Sequence, residues 1–239
     1  MAVATQLSKN DSSVLSAILN PEAGLGDNFA AIIQTSAVNS GESHIAYTIR
    51  QQEKHILLSL NTESPSRSDI EDAISAFGNL LDKFPGYASG YANRAQARRL
   101  LYPDLATLAE HPEDVDAMFD DLEKAISLAS PQNSIQAVSS EAASVLSSAH
   151  THRAYLLYEA SQKLGLGNKM LALSHFAKFD SQTLSELASR DFALGGRYGN
   201  KVAKQLAVHT NPYAKLCGSI VKEALQKEIE SIAEGTMSR

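Results

Sequence analysis

Apolar residues recur along most of this chain three and four positions apart, the spacing that gathers them on one face of an α-helix. The earliest case is short. Val14, Leu15, Ile18 and Leu19 form one stripe, Ser12 or Ser13 can cap it, and Asn20-Pro21 stops it. A lone helix of that length is marginal in water, so it must dock on the body or on a partner. From residue 43 the helical pattern dominates. "SHIAYTIRQQEKHILLSL" predicts one helix, broken by "NTESPSRS". Ser68 and Glu71 have capping-box spacing and open "DIEDAISAFGNLLDKF", which Pro85-Gly86 ends. "ASGYANRAQARRLL" follows, then a break at "YPDLATLAEHPED". "VDAMFDDLEKAISLA" runs to Ser130-Pro131, a long helix covers "SSEAASVLSSAHTHRAYLLYEASQKLG", and "LSELASRDFAL" stops at Gly195-Gly196. Asn211 as N-cap and Pro212 at the first helical position open "YAKLCGSIVKEALQKEIESIA". No convincing strand pair appears, so the predicted fold class is all-α.

Paired helices with small residues at fixed places point to a repeat. The 34-residue tetratricopeptide pattern asks for a small residue at position 20, a large apolar one at 24, a small one at 27 and Pro at 32. Ala73, Phe77, Leu80 and Pro85 meet that spacing, with position 27 enlarged. Ala88 then opens a second unit, with Tyr91 at position 4, Ala95 at 8, and Met118, Leu122 and Ala125 at 20, 24 and 27. A third unit has Ala154 at position 8 and Ala188, Phe192 and Gly195 at 20, 24 and 27. Small residues at 8 and 20 let the helices of a unit approach, and large ones fill the space between units. The period is stretched by insertions near 101–116 and 165–183. The expected organisation is an N-terminal arm over 1–42, a helical repeat of about three irregular pairs over 43–209, and a C-terminal capping helix and tail over 210–239. Tyr213, Leu216, Cys217, Ile220 and Ala224 make the stripe expected to cover the exposed end of the third unit.

Composition narrows the function more than the fold. The 239 residues carry a net charge of −6, whereas nucleic-acid binders more often present a basic field. The lone Cys217 allows no intrachain disulfide and no thiolate cluster, which suits a reducing compartment. "MAVATQLSKND" has no apolar core of a secretory signal, and no run is long and apolar enough to span a membrane. Cytoplasm, or the nucleus, is the expected location. His150 and His152 are two apart and so on different helix faces, which does not suit a metal pair. "GLGNK" and "GGRYGNK" lack the Gly-Lys-Ser/Thr of a phosphate loop and a strand to present it, and they read as helix C-caps. No cofactor is called for.

"NRAQARRL" at 93–100, "DLEKAISL" at 121–128, "NPYAKLC" at 211–217 and "VLSAILNP" at 14–21 resemble, in that order, the tetratricopeptide repeat protein 36 family. The resemblance covers most of the chain outside the insertions and 22–68. It implies a non-enzymatic adaptor or cochaperone of the cytosol, linked to tyrosine metabolism, whose partner is an Hsp70-type chaperone or a metabolic enzyme.

On the repeat alignment the concave face holds Ser89, Ala92, Asn93, Gln96, Arg99 and Leu100 of the second unit. The third unit contributes Ser148, Thr151, His152, Tyr155, Tyr158 and Glu159. Asn93, Gln96, Arg99, His152, Tyr155 and Glu159 are the candidate partner-binding residues. Arg94 and Arg98 point away from that face, toward packing or the rim, and Arg94 has Asp121 as an expected partner. Chaperone-binding tetratricopeptide domains grip a C-terminal carboxylate with Asn, Lys and Arg. Asn93 matches one such position, but Ser148 and His152 stand where Lys and Arg belong, which argues against that clamp. Two other readings stay open: a helical-repeat nucleic-acid binder, motivated by the arginine cluster, and an enzyme on a helical scaffold with no nameable catalytic residues.

Overall fold

The computed structural model describes residues 33–34, 44–132, 137–211 and 220–227. In chain order its elements are β1 (Ile33–Gln34), α1 (His44–Leu60), α2 (Arg67–Lys83), α3 (Ala88–Leu100), α4 (Leu105–Leu108), α5 (Pro112–Ala129), β2 (Val138–Ser139), α6 (Ser140–Gln162), α7 (Leu164–Met170), a 3-10 turn at His175–Lys178, α8 (Ser181–Arg197) and α9 (Lys201–Thr210). Residues 220–227 are also helical. No helix among the described residues is long and apolar enough to cross a membrane.

Local chemistry sets the helix ends. The box that opens α2 is Ser66 with Asp69, two residues earlier than the Ser68–Glu71 spacing suggests. The Asp69 amide donates to Ser66 Oγ (3.1 Å), and the Ser66 amide donates back to Asp69 Oδ2 (3.0 Å). A short carboxylate closes the box as well as a Glu, so the spacing alone fits two registers. Asp104, Ser139, Asp180 and Asn200 cap α4, α6, α8 and α9 by accepting from the amide three residues on.

The long helices stack in series: α1 on α2, α2 on α3, α3 on α5, α5 on α6, α6 on α8, and α8 on α9. This is the all-α, tetratricopeptide-like arrangement, with α1/α2, α3/α5 and α6/α8 as the three pairs. The positions chosen by the repeat register are the packed ones. Ala73, Phe77 and Leu80, then Ala95, Met118, Leu122 and Ala125, then Ala154, Ala188 and Phe192 are all buried. The insertions join that core. Tyr102, Leu105, Leu108, Met170, Leu171 and Phe176 belong to one buried cluster with Met118 and Leu122. Phe119 and Phe176 meet with ring centres 4.9 Å apart, and Lys169 Nζ donates to Glu110 across the two insertions (2.9 Å).

Three expectations need correction. First, β1 and β2 form a two-residue parallel pair, Ile33 opposite Val138 and Gln34 opposite Ser139, too short for alternation to reveal. Second, Gly195 and Gly196 do not stop α8, and Gly165 and Gly167 lie inside α7 rather than capping it. The helix-ending glycine is Gly199, with φ of 108°. Gly195 and Gly196 are contact residues. A Cβ on Gly195 would lie 2.5 Å from Thr151 Oγ1, and one on Gly196 would lie 2.8 Å from Lys204 Cα. Third, the end of the third unit is covered by α9, whose Ala203 is buried against Ala154 and Phe192. Ile220 and Ala224, expected to do this, are exposed, Ile220 at 57%. Tyr213, Leu216 and Cys217 lie outside the described residues. Gly196 lets α9 approach α8 backbone to backbone, and Gly195 makes room for Thr151 of α6, so the short helix through Ala203, Leu206 and Ala207 fills the place that the later stripe was expected to take.

Gly196→Ala is therefore expected to destabilise by about 1–3 kcal/mol, because the clash is with backbone rather than a yielding side chain. Gly165→Ala meets nothing within 4 Å and should be neutral or slightly stabilising. Thermal melts of the two variants decide it, and equal melting temperatures would refute the close-approach reading.

Candidate functional site: a groove across the first helices

In an α-helix successive residues turn by about 100°, so α6 has two faces with different work. Ser148, Thr151, His152 and Tyr155 fall on one, His150, Arg153 and Leu157 on the other. The first face lines a groove of about 860 Å³. Gln96, Arg99 and Leu100 of α3 form one wall, and Asn200, Val202 and Leu206 of α9 form the other. Past Gln96 and Leu100 the groove continues into a second hollow of about 510 Å³, where Glu53, Lys54, Leu57 and Leu58 of α1 face Asn93. The surface is apolar and hydroxyl-bearing rather than strongly charged.

The expected site residues divide. Gln96, Arg99, His152 and Tyr155 share the main groove. Asn93 lies in the second hollow, and its Nδ2 donates to Glu53 Oε1 at 2.7 Å. Ser89 Oγ donates to the same oxygen (2.5 Å) and Tyr87 Oη to Oε2 (2.6 Å). Burial and that carboxylate push the Tyr87 phenol well above its ordinary range. A carboxylate of the chain itself thus occupies the Asn93 amide. Glu159 is half-buried and is not among the residues lining the groove, and Tyr158 packs edge-on to Phe192 with centroids 6.4 Å apart. Arg99 donates from Nη1 to the Tyr102 carbonyl (2.7 Å), which steadies it at the groove wall.

His152 is chemically distinct. Its Nε2 is buried and has no hydrogen-bond partner among the described residues. Burial, and then the charge of Arg99, lower its pKa to about 4, so the imidazole is neutral at physiological pH. A neutral ring can offer either a donor or a lone pair at Nε2, according to its tautomer.

Arg94, Arg98 and Arg153 face away from the groove. Arg94 grips buried Asp121 with Nε (2.9 Å) and Nη2 (2.5 Å), and Arg98 bonds the same carboxylate. The third unit repeats the device. Arg153 donates to Asp191 from Nε (2.7 Å) and Nη2 (2.8 Å), and His150 Nδ1 lies 2.9 Å from it. Arg94 and Arg153 both hold repeat position 7, and Asp121 and Asp191 both hold position 23. Burial works against ionisation of Asp191, yet the hydrogen bonds from His150 and Arg153 outweigh it and hold the carboxyl below its usual range. One carboxylate takes both Arg94 and Arg98, so "NRAQARR" makes no basic patch. The same geometry separates His150 from His152, and no group of three or more His, Cys, Asp and Glu among the described residues could hold a metal ion.

Glu53 is one site residue that sequence reasoning missed, as it missed Asn200, Val202 and Leu206 of the far wall. The contacts of Glu53 lie 34 to 40 residues away, and "NTESPSRS" lengthens the turn that would have fixed the register of α1.

The chain is similar along nearly its whole length to several known proteins. It is 40% identical over 244 residues to the L-tyrosine degradation gene cluster protein hmgX of Aspergillus fumigatus, covering 95% of this chain and 94% of that protein. It is 31% identical to the tetratricopeptide repeat protein 36 homolog of Nematostella vectensis, with 92% and 96% covered. For tetratricopeptide repeat protein 36 of Danio rerio the identity is 28%, with 92% and 94% covered. No family model and no solved structure matches the chain. Coverage of this extent takes in the insertions as well as the stacked pairs, and the chain belongs to the tetratricopeptide repeat protein 36 family.

Proposed function

We propose that this protein is a non-enzymatic adaptor that holds a segment of another protein in the groove between α3, α6 and α9, within L-tyrosine degradation. The observation that carries the reading is the groove itself. Leu100, Tyr155 and Val202 are exposed along it, and hydroxyls of Ser148 and Thr151 sit between them. Exposed apolar floors with interspersed polar groups mark sites for protein segments. The relative's name, L-tyrosine degradation gene cluster protein, supports the pathway.

The groove suits an apolar segment better than an acidic terminus. Asn93 is already bonded to Glu53, and Ser148 and His152 supply no charge at neutral pH. The partner we propose is therefore a cytosolic enzyme of the pathway rather than an Hsp70-type chaperone held by its C-terminal carboxylate.

The test is affinity purification of the full chain from its native cell, comparing wild type with Tyr155→Ala and Val202→Glu. Both positions are exposed, so folding should change by no more than about 0.5 kcal/mol. The expected result is loss of a tyrosine-degrading enzyme from both variants at unchanged melting temperature. Undiminished capture by both would put the binding surface elsewhere.

A further inference from the structure

Among the described residues, two of the exposed apolar surfaces bear on each other. One is the groove lining, where Leu100, Tyr155 and Val202 are 47%, 41% and 61% exposed. The other is the helical stretch 220–227. Ile220, Val221, Ala224 and Leu225 fall on one side of it, with Lys222, Glu223, Gln226 and Lys227 around the rest. Ile220, Val221 and Leu225 are 57%, 57% and 54% exposed. A sided helix of this kind is matched to an apolar surface.

The groove has the dimensions of that surface. Eight helical residues extend about 12 Å, and a helix with its side chains is about 10–12 Å across. A hollow of about 860 Å³ takes the apolar half of such a helix. Arg99 spends Nη1 on the Tyr102 carbonyl, and its other donors can meet Glu223 on the flank of the stripe. Within one chain both surfaces stay exposed, so neither buries the other.

We propose that the groove of one copy receives the 220–227 helix of a second copy, and reciprocally, to form a twofold-symmetric dimer. The proposal rests on reading the groove as a protein-binding surface, and it names a second copy as an occupant that competes with the enzyme partner. Reciprocal exchange uses both helices and both grooves, so assembly closes at two chains. Self-association then regulates the adaptor by mass action, since each docked helix removes one groove from partner binding.

Sedimentation velocity of the full chain across the micromolar range tests this. The expected result is a concentration-dependent monomer–dimer equilibrium. Leu225→Glu and Val202→Glu should each weaken it by about tenfold or more, an effect readable as a shifted midpoint. Both positions are exposed, so circular dichroism and melting should not change. Mixing the two variants should restore association, because the intact helix of one meets the intact groove of the other. A single species of monomer mass at every concentration overturns the proposal. So does association that Val202→Glu leaves unchanged, or a mixture no better than either variant alone. Partner capture separates this from the adaptor reading. If Val202→Glu abolishes the dimer yet still captures the enzyme, the dimer stands and the groove is not the enzyme's site.

Discussion

Asp191→Ala is expected to cost about 3–5 kcal/mol and to lower the melting temperature by roughly 10 °C. Asp191 is buried between α6 and α8 and accepts two hydrogen bonds from Arg153, with His150 Nδ1 also 2.9 Å away. Removing it strands a mostly buried guanidinium, and an unpaired buried charge is far more costly than a missing surface pair. Arg67 and Glu71 make the contrast. They also form an ion pair, at 2.8 Å, but both are exposed, and breaking it should cost no more than about 1 kcal/mol. The double variant Arg153→Met/Asp191→Leu sharpens the test. With both charges gone nothing is left unpaired, so it should be closer to wild type than Asp191→Ala is. Urea denaturation of the three variants measures this. A loss below about 1 kcal/mol for Asp191→Ala would mean that water reaches Arg153 when its partner is gone.

The register of this fold could be read because it rests on side-chain size. Ala95, Ala154 and Ala188 are small where helices must approach, Phe77 and Phe192 are large where units must be filled, and all five are buried. Arg94 and Asp121 could be paired in advance for the same reason: once the two helices are in register, little else stands opposite Arg94. Other features depend on what lies across a contact, which one strand of letters does not carry. Gly195-Gly196 fits both a helix stop and a close approach, and only Thr151 and Lys204 on the far side decide between them. The stripe through Ile220 reports that a helix is sided, not which surface it meets. In the groove, Gln96, Arg99, His152 and Tyr155 followed from repeat position alone. Asn93 followed too, but its capture by Glu53 did not, since nothing aligned α1. Glu159, one full turn beyond Tyr155, is not among the residues lining the groove.

Stability is expected to fall by about 3 kcal/mol between pH 6.5 and pH 4 through His152 alone. In the unfolded chain its imidazole titrates at the ordinary value of 6.5, whereas in the fold burial and Arg99 hold it at about 4. Between those values the unfolded chain binds a proton that the folded chain does not, so acid favours unfolding. The penalty is absent above the unfolded pKa and complete once pH has passed below the folded one. Asp69, Asp104, Asp180 and Asp191 act in a different window. Their folded pKa values are lowered, so their contribution persists until pH drops through the carboxylate range and below. The comparison to make is unfolding free energy at pH 7.5 and pH 4.5 for wild type and His152→Gln. His152→Gln should flatten the profile by most of the predicted amount, and because other histidines remain in both proteins, the difference isolates this one. Arg99→Gln should act partway, since it removes the charge and leaves the burial. A proton titration of the His152 ring by NMR gives the same quantity directly. A midpoint near 6.5 would mean that Nε2 is hydrated, and the groove would then have no dry nitrogen to present to a partner.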